Sequence, residues 1–125
     1  MKMVKGICLG NIAIDCKDAF RLRNFYADLL GWESCIMYDC PALRSQSGLV
    51  FLFMEADFEY VKPVWPEETG KQQKQIHFDF QVDDITNAVL QAESLGACKA
   101  ENQFGGNEFI TMFDPEGHPF CLCTK

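Results

Sequence analysis

The chain of 125 residues lacks several features that would assign it to a familiar class of protein. No apolar run is long enough to span a bilayer, and Gly6, Gly10 and Asn11 interrupt the apolar segment that a secretory signal would need. Basic residues are also scarce: 18 acidic against 11 basic side chains give a formal net charge of −7. That charge opposes binding to nucleic-acid phosphates or to an anionic membrane surface. We therefore expect a cytoplasmic protein whose partners include neither nucleic acid nor membrane.

The seven cysteines lack the Cys-x-x-Cys spacing that is typical of zinc sites and thiol redox motifs. Most of them lie in apolar, strand-like segments, and a reducing cytoplasm disfavours disulfides. Cys121 and Cys123 share one face of a strand but are poorly placed for a disulfide with each other. We interpret the cysteines as small packing residues.

The chain does have enough apolar material for one compact domain, with 48% hydrophobic residues. Its clearest signal is the strict alternation of residues 76–82, IHFDFQV, which is typical of a β-strand. One face of this strand is apolar, whereas the other carries His77, Asp79 and Gln81. The apolar face suits a core, and the polar face suits either water or a cavity.

The first half of the chain predicts a strand, a helix and further strands. Asp18 is a good N-cap for a helix over residues 19–30, and Gly31 supplies its C-terminal stop. We predict strands over residues 7–16, 33–38 and 48–55, with a turn-rich interval around Pro41.

The second half of the chain predicts the same order of elements. Its helix begins after Asp83 or Asp84 and ends at Gly96. We predict strands over residues 76–82, 99–102, 108–113 and 120–123. Between the halves, residues 57–75 combine prolines with charges and are predicted to form a linker or lid.

A shift of 66 residues relates the two halves. It aligns three pairs of residues, Asn11 with His77, Asp18 with Asp84, and Glu55 with Cys121. We therefore predict one domain, residues 1–125, built from two βαβββ modules at about 5–56 and about 76–125. The predicted fold is α+β, with a curved, mostly antiparallel sheet and helices on its outer face. The face without helices then carries Asn11 in the first module and His77 in the second.

Three stretches resemble the vicinal oxygen chelate superfamily of glyoxalases, bleomycin-resistance proteins and extradiol dioxygenases, and within it the glyoxalase-like subgroup. They are residues 11–32, residues 77–97 and residues 113–122, the last reading FDPEGHPFCL. Their FYADLLGW and DPEGHPF segments are scaffold motifs, so they indicate a fold and leave the reaction open. The resemblance implies a homodimer with sheet-lined clefts that bind small molecules.

The resemblance also implies four inward-facing positions, which hold a metal ion in the metal-dependent members: Asn11, Glu55, His77 and Cys121. Glu55 and His77 keep the usual donor types, whereas Asn11 offers a weak carbonyl oxygen and Cys121 a thiol. The cofactor is therefore either one divalent ion (zinc, nickel, manganese or ferrous iron) or none. The two departures from the family pattern favour none.

Two hypotheses about a small ligand follow. In the first, the protein binds a small molecule against Asn11, His77, Asp79 and Cys121, and Trp65 of the linker closes over it. In the second, His77, Glu55 and Cys121 hold a divalent metal in a lyase or isomerase that acts on a carbonyl or thiol-adduct substrate. Glu55 would alternatively serve there as a catalytic proton-transfer base.

A third hypothesis needs no small ligand. In it the exposed sheet face is purely an oligomer interface, and the linker aromatics, including Trp65, pack against a partner subunit. His118, between Gly117 and Pro119, is either a second base at the cavity rim or a residue that bonds backbone groups of its own turn. We favour the role within the turn.

Overall fold

The structure, a computed structural model, describes residues 3–125 and divides the chain into two compact units. The first unit ends at Ala56, and the second comprises Asp57–Lys125. Within the described residues, each unit contains one helix and one four-stranded sheet. The fold is therefore α+β, as the sequence predicts.

The first unit has the order strand, helix, strand, strand, strand. Its elements are β1 (Ile12–Cys16), α1 (Ala19–Leu30), β2 (Glu33–Met37), β3 (Cys40–Arg44) and β4 (Val50–Glu55). The sheet order is β1-β4-β3-β2, in which β1 and β4 are parallel and the other two pairs are antiparallel.

Helix α1 begins and ends where its capping residues predict. The Asp18 carboxylate accepts the N–H of Arg21 at 3.1 Å, which satisfies one of the free donors at the helix start. Gly31 follows the helix with a φ of +69°, and its N–H donates to the carbonyl oxygen of Ala27 at 2.8 Å. Glycine adopts this left-handed conformation without the steric cost that a side chain brings.

The core of the first unit lies between α1 and one face of its sheet. Tyr26 of α1 and Phe53 of β4 are fully buried, and their rings stack with centroids 6.0 Å apart. The register pairs Phe53 with Ile14, which is also buried. Alternate residues of β1 and β4 therefore face the helix.

The second unit repeats the order of the first. Its elements are β5 (Phe78–Val82), α2 (Ile85–Ser94), β6 (Cys98–Lys99), β7 (Phe109–Phe113) and β8 (Pro119–Thr124). The sheet order is β5-β8-β7-β6, again with one parallel pair, β5 and β8. Asp84 caps α2, because its carboxylate accepts the N–H of Asn87 at 3.1 Å. Residues 56–77 contain no helix or strand.

Several predicted boundaries are wrong. Strand β1 begins at Ile12 instead of residue 7, β6 is only two residues long, and α2 stops at Ser94. Pro41 lies inside β3 and not in a turn. The sheet tolerates it because β3 pairs with β4 only from Ala42 onward, so Pro41 has a paired strand on one side alone.

The repeat shift of 66 residues does not extend to the last strand of each module. Ile12 and Phe78 are 66 residues apart, yet their partners Phe51 and Phe120 are 69 apart. The second module therefore has three additional residues between its first and last strands. The predicted alignment of Glu55 with Cys121 is wrong for this reason.

Neither helix within residues 3–125 has the length and the apolar content that crossing a membrane requires.

Candidate functional site

Three donor side chains meet on one face of the second sheet. Asp79 of β5 and Cys121 of β8 are direct partners in the parallel register, and His77 immediately precedes β5. One ligand atom from each residue, a ring nitrogen, a carboxylate oxygen and the sulfur, lies within 4.8 Å of the other two. His77 Nε2 is 3.1 Å from Asp79 Oδ1. The structure thus brings together three of the residues that the sequence singled out.

Strand alternation places these donors on one face and the core on the other. The rings of Phe78 and Phe80 lie 5.6 Å apart, and Phe80 packs at 5.9 Å from the fully buried Phe120. Because Phe78 pairs with Phe120, their neighbours Asp79 and Cys121 point to the opposite side. We call this side, which carries Asp79, Thr111 and Cys121, the donor face.

The donor face is accessible at its rim and closed at its base. The side chains of His77 and Asp79 are 38% and 60% exposed, whereas Cys121 is only 7% exposed. A molecule approaching from solvent therefore meets the imidazole and the carboxylate first, and the sulfur lies beneath them.

The thiol of Cys121 is held in its protonated form. Burial, the largest cause, raises the pKa of this thiol; the hydrogen bond with Thr111 opposes the rise, and the charge of Asp79 adds to it. The Thr111 Oγ1 and Cys121 Sγ atoms are 3.4 Å apart. Burial and the Asp79 charge also raise the pKa of Cys123. Without a cation, neither thiol is activated as a nucleophile at neutral pH.

The donor set suits a zinc-type ion chemically. Imidazole nitrogen, carboxylate oxygen and thiolate sulfur are all ligands of zinc, at about 2.0–2.3 Å from the ion. Donor atoms spread over 4.8 Å are somewhat wider than such a site, so small side-chain rotations must draw them together. The exposed side chains of His77 and Asp79 are free of the packing that would prevent those rotations.

Glu55 lies in the first unit and faces α1. It lies two residues after Phe53 on β4 and therefore on the same face of the strand. Its Oε2 atom accepts the N–H of Ala19 at 3.1 Å. Ala19 is the first residue of α1, so this carboxylate stabilises the positive end of the helix. The expectation that Glu55 points away from the helix is wrong. The sequence of β4 does not alternate between apolar and polar residues, so it does not indicate which of its residues face the helix. Asn11 also lies in the first unit, half-buried directly before β1.

Aromatic side chains stand beside the donors. Trp65 of the linker makes edge-to-face contacts with Phe104 and Phe113, at centroid distances of 5.6 Å and 6.4 Å. Phe113 pairs with Pro119, two residues before Cys121, and therefore shares the donor face. Sequence reasoning found Trp65 but missed Phe104 and Phe113. The alternation of Phe113 with Thr111 in β7 was the signal available for one of them.

His118 connects its own turn to the linker through hydrogen bonds. Its Nδ1 atom is 2.8 Å from Oδ2 of Asp114, whose side chain is fully buried, and its backbone N–H donates to Oδ1 of the same carboxylate at 3.0 Å. On the other side of the ring, Nε2 is 3.2 Å from the hydroxyl oxygen of Tyr60, and that hydroxyl donates to the carbonyl of Glu116 at 3.1 Å. His118 therefore lies bonded within its turn, but the expectation that it bonds backbone groups is wrong for the ring, which contacts the Asp114 carboxylate and the Tyr60 hydroxyl.

Comparisons with known proteins agree with the fold. A family model described as a glyoxalase-like domain matches residues 11–123. A glyoxalase/bleomycin resistance protein/dioxygenase family enzyme from Burkholderia phytofirmans PsJN superposes with a TM-score of 0.68 at 16% identity, covering 92% of this chain and 96% of that chain.

Two further solved structures are similar to the same extent. The fosfomycin resistance protein FosX from Listeria monocytogenes gives a TM-score of 0.68 at 18% identity, covering 98% of this chain and 93% of its own. A hypothetical protein from S. aureus gives 0.69 at 13% identity, with coverages of 99% and 96%. At these identities the likeness shows a shared fold. Comparison with curated protein sequences gives no significant match.

Proposed function

The chain belongs to the glyoxalase-like domain family, and from this premise we propose that it binds a small molecule on the donor face. The observation that supports the proposal best is the convergence of His77, Asp79 and Cys121 within 4.8 Å. A few convergent polar groups beside apolar walls are typical of ligand sites.

The proposed ligand has a polar head and an apolar body. Asp79 accepts hydrogen bonds from the polar head of the ligand, and a ring nitrogen of His77 donates a hydrogen bond to the head or accepts one from it. The protonated thiol of Cys121 is a weak donor at the base of the site. Trp65 and the 68% exposed Phe104 provide the surface against which the body packs.

A divalent-metal-dependent lyase or isomerase is the second candidate function, and the donor set itself favours it. In this case His77, Asp79 and Cys121 hold the ion, with Asp79 in the place first expected of Glu55. Such an ion supplies Lewis-acid polarisation of a carbonyl oxygen of the substrate. Asp79 is additionally placed to orient the His77 ring, since their atoms are 3.1 Å apart.

Metal content distinguishes the two candidates. The untagged protein is purified without chelator, supplied in turn with zinc, nickel, manganese or ferrous iron, and measured by elemental analysis. The enzyme candidate requires about one ion per chain in the wild type and in Cys98→Ser, an exposed-cysteine control, with loss in Cys121→Ser and Asp79→Asn. Absence of stoichiometric metal in the wild type under all four conditions contradicts the enzyme candidate.

A thermal-shift screen tests small-molecule binding directly. We expect hits that raise the Tm of the wild type and Cys98→Ser in the presence of EDTA, and that raise it less or not at all in His77→Ala and Trp65→Ala. Hits that stabilise all four proteins equally bind elsewhere, and that outcome would refute the proposed site.

We further propose that the protein acts in the cytoplasm as a homodimer, as the family resemblance implies. In the first unit, the edge strand β2 offers a surface for such an interface, because Ile36 is 56% exposed and Tyr38, just beyond the strand, is 78% exposed.

A further inference from the structure

The hairpin formed by β2 and β3 carries three sulfur-containing side chains on one face. Met37 and Cys40 are direct partners in the antiparallel register, and so are Cys35 and Ala42. Partners in a sheet lie on the same face, as do residues two positions apart in one strand. Cys35, Met37 and Cys40 therefore share a face of the hairpin, which we call the sulfur face.

The sulfur face is turned away from α1. Phe53 of β4 stacks on Tyr26 of α1, so its neighbour Leu52 points to the opposite side of the sheet. Leu52 and its partner Ala42 are buried, and the three sulfur-containing side chains pack against them. Each of the three is only half-buried. The sulfur face is thus an apolar surface that solvent still reaches.

A tight turn fixes the spacing of these side chains. Tyr38 and Asp39 connect the two strands, and both have positive φ values, 52° and 60°. Two central residues in this left-handed conformation form a type I′ turn, which matches the right-handed twist of the flanking strands. The turn sets the register of the hairpin, so the relative positions of Cys35, Met37 and Cys40 are determined before any ligand binds.

The two thiols of the sulfur face are spaced for an ion and not for a disulfide. Cys35 and Cys40 are diagonal neighbours across the hairpin, a relation that separates residues by about 7–8 Å. A disulfide requires Cα atoms closer than about 7 Å, and both cysteines are free. A bound ion spans a wider gap, because it inserts two metal–sulfur bonds of about 2.3 Å each, the length of a zinc–thiolate bond.

The donor types favour a soft ion. Thiolate and thioether sulfur are the ligands that select Cu(I), whereas a structural zinc site needs four donors. Among the described residues, three or more histidine, cysteine or acidic ligands come together only on the donor face. Histidine and carboxylate groups therefore do not complete a zinc site around Cys35 and Cys40.

The charge beside the sulfur face also suits Cu(I). Two thiolates and one Cu(I) ion carry a single net negative charge. Arg44 Nη2 donates to the sulfur of Met37 at 3.9 Å, so the guanidinium lies along this face. Its positive charge offsets the negative charge that the bound ion leaves.

From this arrangement we propose that the sulfur face binds one Cu(I) ion. Cys35 and Cys40 bind it as thiolates, each releasing its proton to solvent, and the thioether of Met37 is the third donor. The unbranched Met37 side chain turns from Arg44 to the ion by rotation about its own bonds. The site belongs to the first unit and does not depend on the donor face of the second.

Protection from alkylation tests the proposal. The reduced protein receives equimolar Cu(I) and then a twofold excess, as the acetonitrile complex without oxygen, and is exposed briefly to iodoacetamide. Cys35 and Cys40 lie on one tryptic peptide, residues 24–44, so mass spectrometry reads both thiols together. We expect Cu(I) to slow alkylation of both about tenfold or more, because a metal-bound thiolate is no longer a free nucleophile.

Variants identify the ligands. In Cys35→Ser, Cu(I) should no longer protect Cys40, and Met37→Leu, which preserves packing, should weaken Cu(I) binding about tenfold in competition with bicinchoninate. Cys98→Ser and Cys121→Ser should leave both thiols protected as in the wild type, the second showing independence from the donor face.

Three results would each overturn the proposal. In the first, a twofold excess of Cu(I) leaves Cys35 and Cys40 of the wild type as reactive as in the metal-free protein. In the second, Cys40 stays protected in Cys35→Ser. In the third, Met37→Leu binds Cu(I) as tightly as the wild type does.

Discussion

At the scale of single residues, Asp79 has the strongest influence on the chemistry of the donor face. It is 3.1 Å from the imidazole of His77, and its charge adds to the rise in the pKa of the Cys121 thiol, which burial mainly causes. The carboxylate of Asp79 also attracts a cation, and a bound cation opposes both burial and the Asp79 charge by favouring the thiolate. The protonation state of the Cys121 thiol therefore depends on whether a cation occupies the site.

Replacing Asp79 should make Cys121 more reactive. Burial, the main cause of the raised pKa of the thiol, remains in Asp79→Asn, but the negative charge that adds to it is gone, so the thiolate forms at lower pH. We expect iodoacetamide to alkylate Cys121 several-fold faster at about pH 8, measured by mass spectrometry of the Cys121 peptide. Glu101→Gln is the control and should alkylate like the wild type. An unchanged rate in Asp79→Asn would show that the Asp79 charge does not contribute to the raised pKa of the thiol.

At the scale of elements, the local signals in the sequence predicted the structure well. Helix ends are marked by single capping residues: Asp18 and Gly31 for α1, and Asp84 for the start of α2. These helix bounds can therefore be predicted from a few neighbouring residues of the sequence. The alternation of β5 likewise identified His77 and Asp79, because a half-buried strand displays its two faces in sequence.

The features that sequence did not predict depend on pairing between distant segments. Strand β4 reads VFLFME, and an apolar run without alternation does not reveal which side faces the helix. The three additional residues before β8 changed the register, so the partner of Cys121 in the repeat is Leu52 and not Glu55. Phe113 and Thr111 join the donor face only through the pairing of β7 with β8.

Glu55 should matter for the stability of α1 and not for metal content. Glu55→Ala removes the acceptor of the Ala19 N–H at the helix start, and we expect a loss of about 1 kcal/mol in the free energy of unfolding, measured with urea. Glu59→Ala, which removes an exposed carboxylate of the linker, should cost much less. If Glu55→Ala instead loses bound metal at unchanged stability, the helix-capping role assigned to Glu55 is incorrect.

At the scale of the whole molecule, the two modules share a topology but differ in chemistry. The positions in the first module that correspond to Asp79, Thr111 and Cys121 are Ala13, Ala42 and Leu52. Ala42 and Leu52 are buried and belong to an apolar cluster. One copy of the repeat thus retains polar donors where the other has an apolar surface.

The proposed homodimer makes a prediction at this scale. Sedimentation equilibrium of the wild type should give twice the mass of one chain, and Ile36→Lys should shift the protein toward monomer, because a charge in the core of an interface is costly. Leu90→Lys alters a similarly exposed apolar residue of α2 and should remain dimeric. A monomeric wild type, or a dimer that Ile36→Lys leaves intact, would exclude β2 as the interface.

The anchoring of the linker has a consequence for how such a repeat can be divided. Tyr60 bonds His118, the side chain of Lys62 lies over Gly117, and Trp65 packs on Phe113, so the linker is fastened to the second module along much of its length. A split-protein design, or an exchange of modules between relatives, therefore has its best junction at residues 56–59, ahead of the anchors. A break in the middle of the linker would leave Tyr60 on the wrong fragment.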